Sequence, residues 1–81
     1  MMRYYALYEM KCVGPGNRWE RSDQPLYIVG GPRLGRRQAE RIAQKDLPWL
    51  GPVHAERRFL RGPKGRVFIV GPYDSYRISE A

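Results

Sequence analysis

The side chains that usually carry enzyme chemistry are scarce in this sequence. Its 81 residues include one histidine, His54, one cysteine, Cys12, three serines and no threonine. Nucleophilic catalysis needs a nucleophile and a base within hydrogen-bond reach, and no such pair is evident. Cys12 lies on the apolar side of a predicted strand, so we interpret it as a small core residue. We interpret His54, close to Pro52, as a surface or strand-edge residue. The sequence therefore predicts a protein that is not an enzyme.

Metal and cofactor sites are equally hard to build from these residues. A zinc site needs several cysteine or histidine ligands. The stretch Gly30–Arg37, GGPRLGRR, joins a predicted strand to a predicted helix, where anions are attracted. It matches no dinucleotide-binding or P-loop pattern. Non-specific contact with a phosphate backbone is therefore favoured over the binding of a nucleotide. No metal and no cofactor is expected. The spacing of the glutamates does not suggest a pair of catalytic carboxylates of the kind that glycoside hydrolases use. These glutamates are Glu9, Glu20, Glu40 and Glu56.

Positive charge is the strongest compositional signal. Fifteen lysines and arginines against eight acidic residues give a net charge of +7 and a pI near 10.1. Twelve of the fifteen are arginine, which grips phosphate and carboxylate groups bidentately. A GC-rich genome would also favour arginine over lysine, so the net charge is more informative than the arginine share. The charge indicates a partner with an acidic surface.

Hydrophobic periodicity places two strand pairs around one helix. Pro32 is predicted to lie in the first turn of this helix, where proline is favoured. Pro48 is predicted to end the helix. The segment Arg18–Asp23 is ambiguous between a strand that extends a hairpin and a loop. The order ββαββ predicts an α+β fold of two layers, with a mainly antiparallel four-stranded sheet and a helix on one face. The strands are predicted at Arg3–Val13, Leu26–Val29, Val53–Arg61 and Val67–Val70, and the helix at Arg33–Leu47.

The chain is short enough to form a single small domain spanning residues 1–81. Its last residues, 74–81, are expected to fray. Leu50 and Trp49, which follow the predicted helix, are expected to tuck beneath the connector. Phe59 is the predicted core residue of its strand.

Nearly the same six-residue sequence, which we call the repeated phrase, occurs twice. It reads YIVGGP at Tyr27–Pro32 and FIVGPY at Phe68–Tyr73. With their flanks, YIVGGPRLGRRQAERIA and RVFIVGPYDS, these stretches resemble the internal repeat of the SPOR fold, a peptidoglycan-binding domain. In that fold, strand–glycine–helix units occur twice around a four-stranded sheet, whereas here the second helix is missing. The resemblance implies peptidoglycan binding. The short length, high arginine content and lack of catalytic residues also resemble small bacteriophage accessory proteins.

Basic residues recur at i+4 spacing on the predicted helix. At about 100° per residue, this ridge lies opposite an apolar side formed by Ala39, Ile42, Ala43 and Leu47. A second basic cluster follows in the next strand. A merely solvated helix face is the plain alternative to a binding role. The predicted surface for nucleic acid or an acidic partner comprises Arg33, Arg36, Arg37, Arg41, Lys45, Arg57, Arg58 and Arg61.

A single helix can cover only one face of the predicted sheet. The first strand offers two sets of side chains at period two. We expect the more apolar set to pack beneath the helix, together with residues of other strands: Tyr4, Tyr8, Met10, Ile28 and Phe59. Tyr5 and Leu7 would then point to the face of the sheet that the helix does not cover. With Trp19, they are predicted to form an apolar patch on the open face, for a partner or for self-association as a homodimer.

Three functions remain, in order of preference. The first is a non-enzymatic basic protein that binds nucleic acid through its arginine-rich helix face. The alternative is a small inhibitor or adaptor, of the phage accessory type, that docks on an acidic host protein. The third is peptidoglycan binding. A lone cysteine fits a reducing cytoplasm, and no apolar run approaches the roughly 20 residues of a membrane helix.

Overall fold

The longest element of the chain is its first strand, and the rest of the sheet is built on it. The computed structural model describes residues 1–54 and 56–74, so most of the tail expected to fray lies outside the described residues. The predicted α+β class with a mainly antiparallel sheet is confirmed, with five strands in the described residues in place of four. The elements are β1 (Met2–Val13), β2 (Arg18–Arg21), β3 (Tyr27–Pro32), α1 (Arg36–Asp46), β4 (Phe59–Arg61) and β5 (Val67–Pro72), with a 3₁₀ turn at Pro63–Gly65.

Strand β1 is paired along both of its edges. On one edge it meets β5, which in turn pairs with β4. On the other edge, β2 pairs with the second half of β1 and β3 with the first half. All these pairings are antiparallel. Between β2 and β3 the chain bulges away, and backbone hydrogen bonds hold both ends of the bulge to β1: Ser22 N–H to Glu9 O at 2.9 Å and Leu26 N–H to Leu7 O at 2.8 Å.

Several element boundaries differ from the sequence prediction, and β3 covers Tyr27–Pro32 in place of the predicted Leu26–Val29. The ambiguous segment after the first turn is a strand, β2. The helix begins at Arg36 and not at Arg33, because Pro32 continues the ladder with β1 opposite Met2. Arg33 then lies in a turn with a φ of 56°.

The predicted strand Val53–Arg61 is mostly wrong. Only Phe59–Arg61 forms a strand, and Val53 makes an isolated bridge to Leu60. The chain between them turns sharply, with Arg58 at a φ of 58°. Backbone hydrogen bonds close this turn, from His54 N–H to Phe59 O at 2.7 Å and from Arg58 N–H to His54 O at 2.8 Å. The core residue of β4 is Leu60, which is fully buried, in place of Phe59.

The repeated phrase marks two strands in equivalent positions. Both β3 and β5 run antiparallel to β1, one on each edge. The valine of each copy, Val29 or Val70, is buried on the helix side, and the isoleucine of each copy turns to the other face. Gly30 lies against the ring of Tyr4, where a Cβ atom would come within 2.6 Å of a ring carbon. The first copy therefore needs glycine because an aromatic ring covers its backbone.

The hydrophobic core lies between α1 and one face of the sheet. Ala39 and Ala43 are fully buried, and their small side chains let the helix approach the sheet closely. Leu50 is buried as predicted, whereas Trp49 stays 42% exposed with its ring centroid 5.1 Å from that of Phe68. The buried cluster comprises Leu7, Val29, Leu34, Ala39, Ala43, Leu50, Leu60, Phe68 and Val70.

The two faces of β1 are reversed relative to the sequence prediction. Leu7 is 1% exposed in the core, and Tyr5 packs against the same cluster. A strand of 12 residues is about 40 Å long, whereas a helix of 11 residues is about 16 Å long. The helix therefore covers only part of β1, and Arg3 and Lys11 of the same face stay exposed. The set expected beneath the helix lies on the open face, where Tyr8 is nevertheless buried. This set comprises Tyr4, Tyr8, Met10, Ile28 and Phe59.

The reversed assignment can be checked with two leucines of different burial. We expect Leu7→Ala to lower the free energy of unfolding by about 2–5 kcal/mol, because it opens a cavity in the core. Leu26→Ala is the matched control, since Leu26 is 52% exposed, and it should change stability by less than about 0.5 kcal/mol. Urea unfolding followed by circular dichroism measures both. A harmless Leu7→Ala would contradict the observed packing.

Candidate functional site

Acidic side chains of the described residues are largely taken up by partners within the chain. Glu9 accepts two hydrogen bonds from Arg66, from Nε and Nη2, both at 3.1 Å. These bonds hold the pKa of Glu9 below its ordinary value. Glu20 lies 3.3 Å from Arg18 at the surface. The carboxylate of Asp46 accepts a hydrogen bond from the Tyr27 hydroxyl, which raises the pKa of that tyrosine.

The most buried ion pair joins the helix to the turn before β4. Glu40 has a side chain only 3% exposed, and its partner Arg58 is 30% exposed. Arg58 donates from Nε to Oε2 at 3.2 Å and from Nη2 to Oε1. These hydrogen bonds raise the pKa of the Arg58 guanidinium above its ordinary value. Arg58, which the sequence assigned to the binding surface, is thus engaged inside the molecule.

The basic ridge predicted on the helix is present in shortened form. Arg37, Arg41 and Lys45 are all exposed and lie on the side opposite the buried Ala39 and Ala43. Arg36 is exposed in the first turn of the helix. Arg33 does not belong to the ridge, because it precedes the helix. Three of the four residues expected at i+4 spacing therefore share one exposed helix face.

Two of these arginines line a shallow cleft between α1 and the chain that follows it. Gln44 ties the two together, because its Nε2 donates to the carbonyl oxygen of Gly51 at 2.8 Å. The buried Glu40–Arg58 pair closes the same gap. The cleft therefore has a fixed shape, with cationic groups on its rim. Its lining comprises Arg37, Glu40, Arg41, Gln44, Pro52, Val53 and Arg58.

A second cleft lies on the open face of the sheet, around two aromatic rings. Trp19 of β2 and Phe59 of β4 meet edge to face, with ring centroids 5.4 Å apart and planes at 67°. Because β1 and β5 lie between these strands, the sheet must curve to bring the rings together. The cleft, which we call the aromatic cleft, has a volume of about 210 Å³ and is lined by Trp19, His54, Arg57, Phe59, Arg61 and Val67.

The rest of the open face is apolar with a cationic component. Arg21 lies over the ring of Tyr8, its guanidinium carbon 4.2 Å from the ring centroid. Among the described strand residues on this face, only Arg21 and Arg61 carry charge. Trp19 lies on this face. Cys12 also lies here and is exposed, because α1 packs on the opposite face of the sheet. Its interpretation as a core residue was wrong.

The turn before β4 connects the two clefts. Arg57 lines the aromatic cleft, whereas the next residue, Arg58, lines the cleft beside the helix. Basic groups thus run from the helix face around the β4 edge to the open face. Sequence reasoning identified Arg57 and Arg61 but not their partnership with Trp19 and Phe59. The available signal was the proximity of aromatic to basic residues in the sequence, but the sequence predicted Phe59 as a core residue and Trp19 as part of a patch with Tyr5 and Leu7.

No family model, curated protein or solved structure matches this chain, so its function has to be argued from its own side chains. Within residues 1–54 and 56–74, no helix is long and apolar enough to cross a membrane. In the same residues, no three histidine, cysteine or acidic side chains gather where a metal ion could be held.

We expect the Glu40–Arg58 pair to be structural. Arg58→Ala leaves a buried carboxylate without its partner and should clearly lower the free energy of unfolding, because an uncompensated buried charge is destabilising. Arg57→Ala, the neighbouring exposed arginine, is the control and should be nearly neutral. Adding Glu40→Leu to Arg58→Ala should restore much of the stability. Thermal and urea unfolding report these differences, and equal effects at the two arginines would refute a structural pair.

Proposed function

We propose that the protein binds nucleic acid without catalysing a reaction, through a basic band that comprises Arg37, Arg41, Arg57 and Arg61. The observation that carries this proposal is the segregation of charge. Glu9, Glu20 and Glu40 each pair with an arginine of the same chain. The four residues of the band make no such ion pair with the described residues and are exposed.

The positions of these arginines suit a phosphate backbone. Arg37 and Arg41 project from one helix face, Arg57 lies in a turn that backbone hydrogen bonds close, and Arg61 ends the strand that follows. Glu40, which lines the same cleft as Arg37 and Arg41, has its charge neutralised by the ion pair with Arg58. Glu56, next to Arg57 in the turn, is exposed and weakens the local potential without removing it. Guanidinium groups held in this way can donate bidentate hydrogen bonds to phosphate oxygens.

The second function suggested by the sequence is docking on an acidic host protein. Such a partner could bind the same arginines. The open face favours nucleic acid because the half-buried rings of Trp19 and Phe59 lie beside Arg57 and Arg61. Nucleobases stack on aromatic side chains while cations bind the phosphates. We place the protein in the cytoplasm, where the lone exposed Cys12 stays reduced.

Salt dependence tests the proposal directly. If the basic band neutralises about four phosphates, the slope of log affinity against log salt is about −3.6 for duplex DNA and about −2.8 for a single strand. Affinity should then fall roughly 50- to 150-fold between 50 and 200 mM salt. Fluorescence anisotropy with labelled oligonucleotides measures the slope. Absence of binding to duplex and single-stranded DNA and RNA at 50 mM salt would reject the proposal and leave an acidic protein as the better partner.

A pair of charge-reversal variants separates the basic band from net charge. Arg37→Glu with Arg41→Glu should weaken binding at least tenfold and lower the salt slope by about 1.4–1.8. Thermal stability should change by only a few degrees, because exposed charges contribute little to folding. Lys11→Glu with Arg18→Glu, in the β1–β2 hairpin, makes the same change in charge as a control. Equal loss of affinity in both variants would show that net charge, and not the band, drives binding.

A further inference from the structure

The aromatic cleft has features that a purely electrostatic contact with phosphates would not require. We infer that it takes an unpaired nucleobase, so that the preferred ligand is single-stranded nucleic acid. This inference rests on the proposed function and narrows it to one class of nucleic acid. The argument depends on the shape of the cleft, its charge and the accessibility of bases.

The shape of the cleft suits a flat apolar ring. Trp19 and Phe59 meet edge to face, an arrangement that leaves ring faces uncovered, and both side chains are only half-buried. Val67, also half-buried, adds an aliphatic surface between them. The cavity of about 210 Å³ is open to solvent and is lined by residues of β2, β4, β5 and the turn before β4. A planar ring placed there would contact aromatic and aliphatic carbon atoms.

The positive charge around the cleft indicates that a planar ring bound there should carry negatively charged groups. Its polar lining consists of His54, Arg57 and Arg61, and among residues 1–54 and 56–74 no carboxylate lines it. An apolar floor with guanidinium groups on its rim matches a base joined to phosphates. A second copy of this chain fits less well, since a symmetric contact between open faces would bring Arg21 and Arg61 towards like charges. Charge complementarity therefore selects the nucleic-acid occupant.

Accessibility separates single strands from duplexes. In a duplex the faces of the bases are stacked on one another, so a base cannot enter a cleft on the protein surface. Single strands expose bases that stack on aromatic side chains and arginine planes. Duplex DNA can still contact the basic band through its phosphates. The inference therefore requires a preference for single strands and a direct effect on Trp19.

Tryptophan fluorescence can test this directly, because the chain has two tryptophans on opposite faces of the sheet. Trp49→Phe leaves Trp19 as the reporter, and this variant should bind as the unchanged protein does. At 100 mM salt, oligothymidine should quench Trp19 emission and bind at least tenfold more tightly than a duplex of equal length. Trp19→Ala should lose about tenfold in single-strand affinity and keep its duplex affinity. Arg57→Ala with Arg61→Ala should lower the single-strand salt slope by about 1.4.

The outcomes distinguish failure of this inference from failure of the proposed function. Equal affinity for single strand and duplex, without quenching of Trp19, would overturn the inference and leave the proposed function standing. No binding to either would overturn both. If Trp19→Ala does not fold, quenching in the Trp49→Phe protein and retained affinity in Trp19→Phe decide the question. Sedimentation that shows a dimer dissociated by Trp19→Ala, with no quenching, would assign the cleft to self-association and reject the inference.

Discussion

The pairing of β1 along both edges is the constraint on which the rest of the structure depends. Because β5 occupies one edge, β2 and β3 must share the other, and the chain between them bulges to change register. The valines at Val29 and Val70 then meet β1 from opposite sides on the same face. That face receives α1, and its small residues Ala39 and Ala43 allow close packing. The near-identical phrases at 27–32 and 68–73 follow from the two strands having equivalent neighbours.

The difference in length between β1 and α1 decides where the surfaces lie. A strand of about 40 Å cannot be covered by a helix of about 16 Å. The register places Trp19 opposite Cys12, on the face that α1 does not cover, where it meets Phe59. The open face thus has a local apolar cluster of its own beneath Arg21 and Arg61. A single helix on a long curved sheet creates both the core and the candidate site.

Charge is distributed in two different ways in this molecule. On the helix side of the sheet, acids and arginines pair, as at Glu9–Arg66 and Glu40–Arg58. These pairs tie distant segments together, and the second joins α1 to the turn before β4. Around the β4 edge and along the outer helix face, arginines lack such partners among the described residues. The same residue type therefore serves packing on one side and, in our proposal, binding on the other.

The sequence by itself determined the α+β class, the antiparallel pairing, the apolar side of the helix and the net charge. These features follow from local periodicity and composition, which need no knowledge of distant contacts. Period two in β1 separated Tyr5 and Leu7 from Tyr4 and Tyr8, but both sets are rich in apolar residues. Which set faces the helix depends on where an element distant in sequence packs, and only the tertiary structure decided it. The same holds for Arg58, which pairs with Glu40 although it stays partly exposed, and for Trp19 and Phe59, which meet although two other strands lie between theirs.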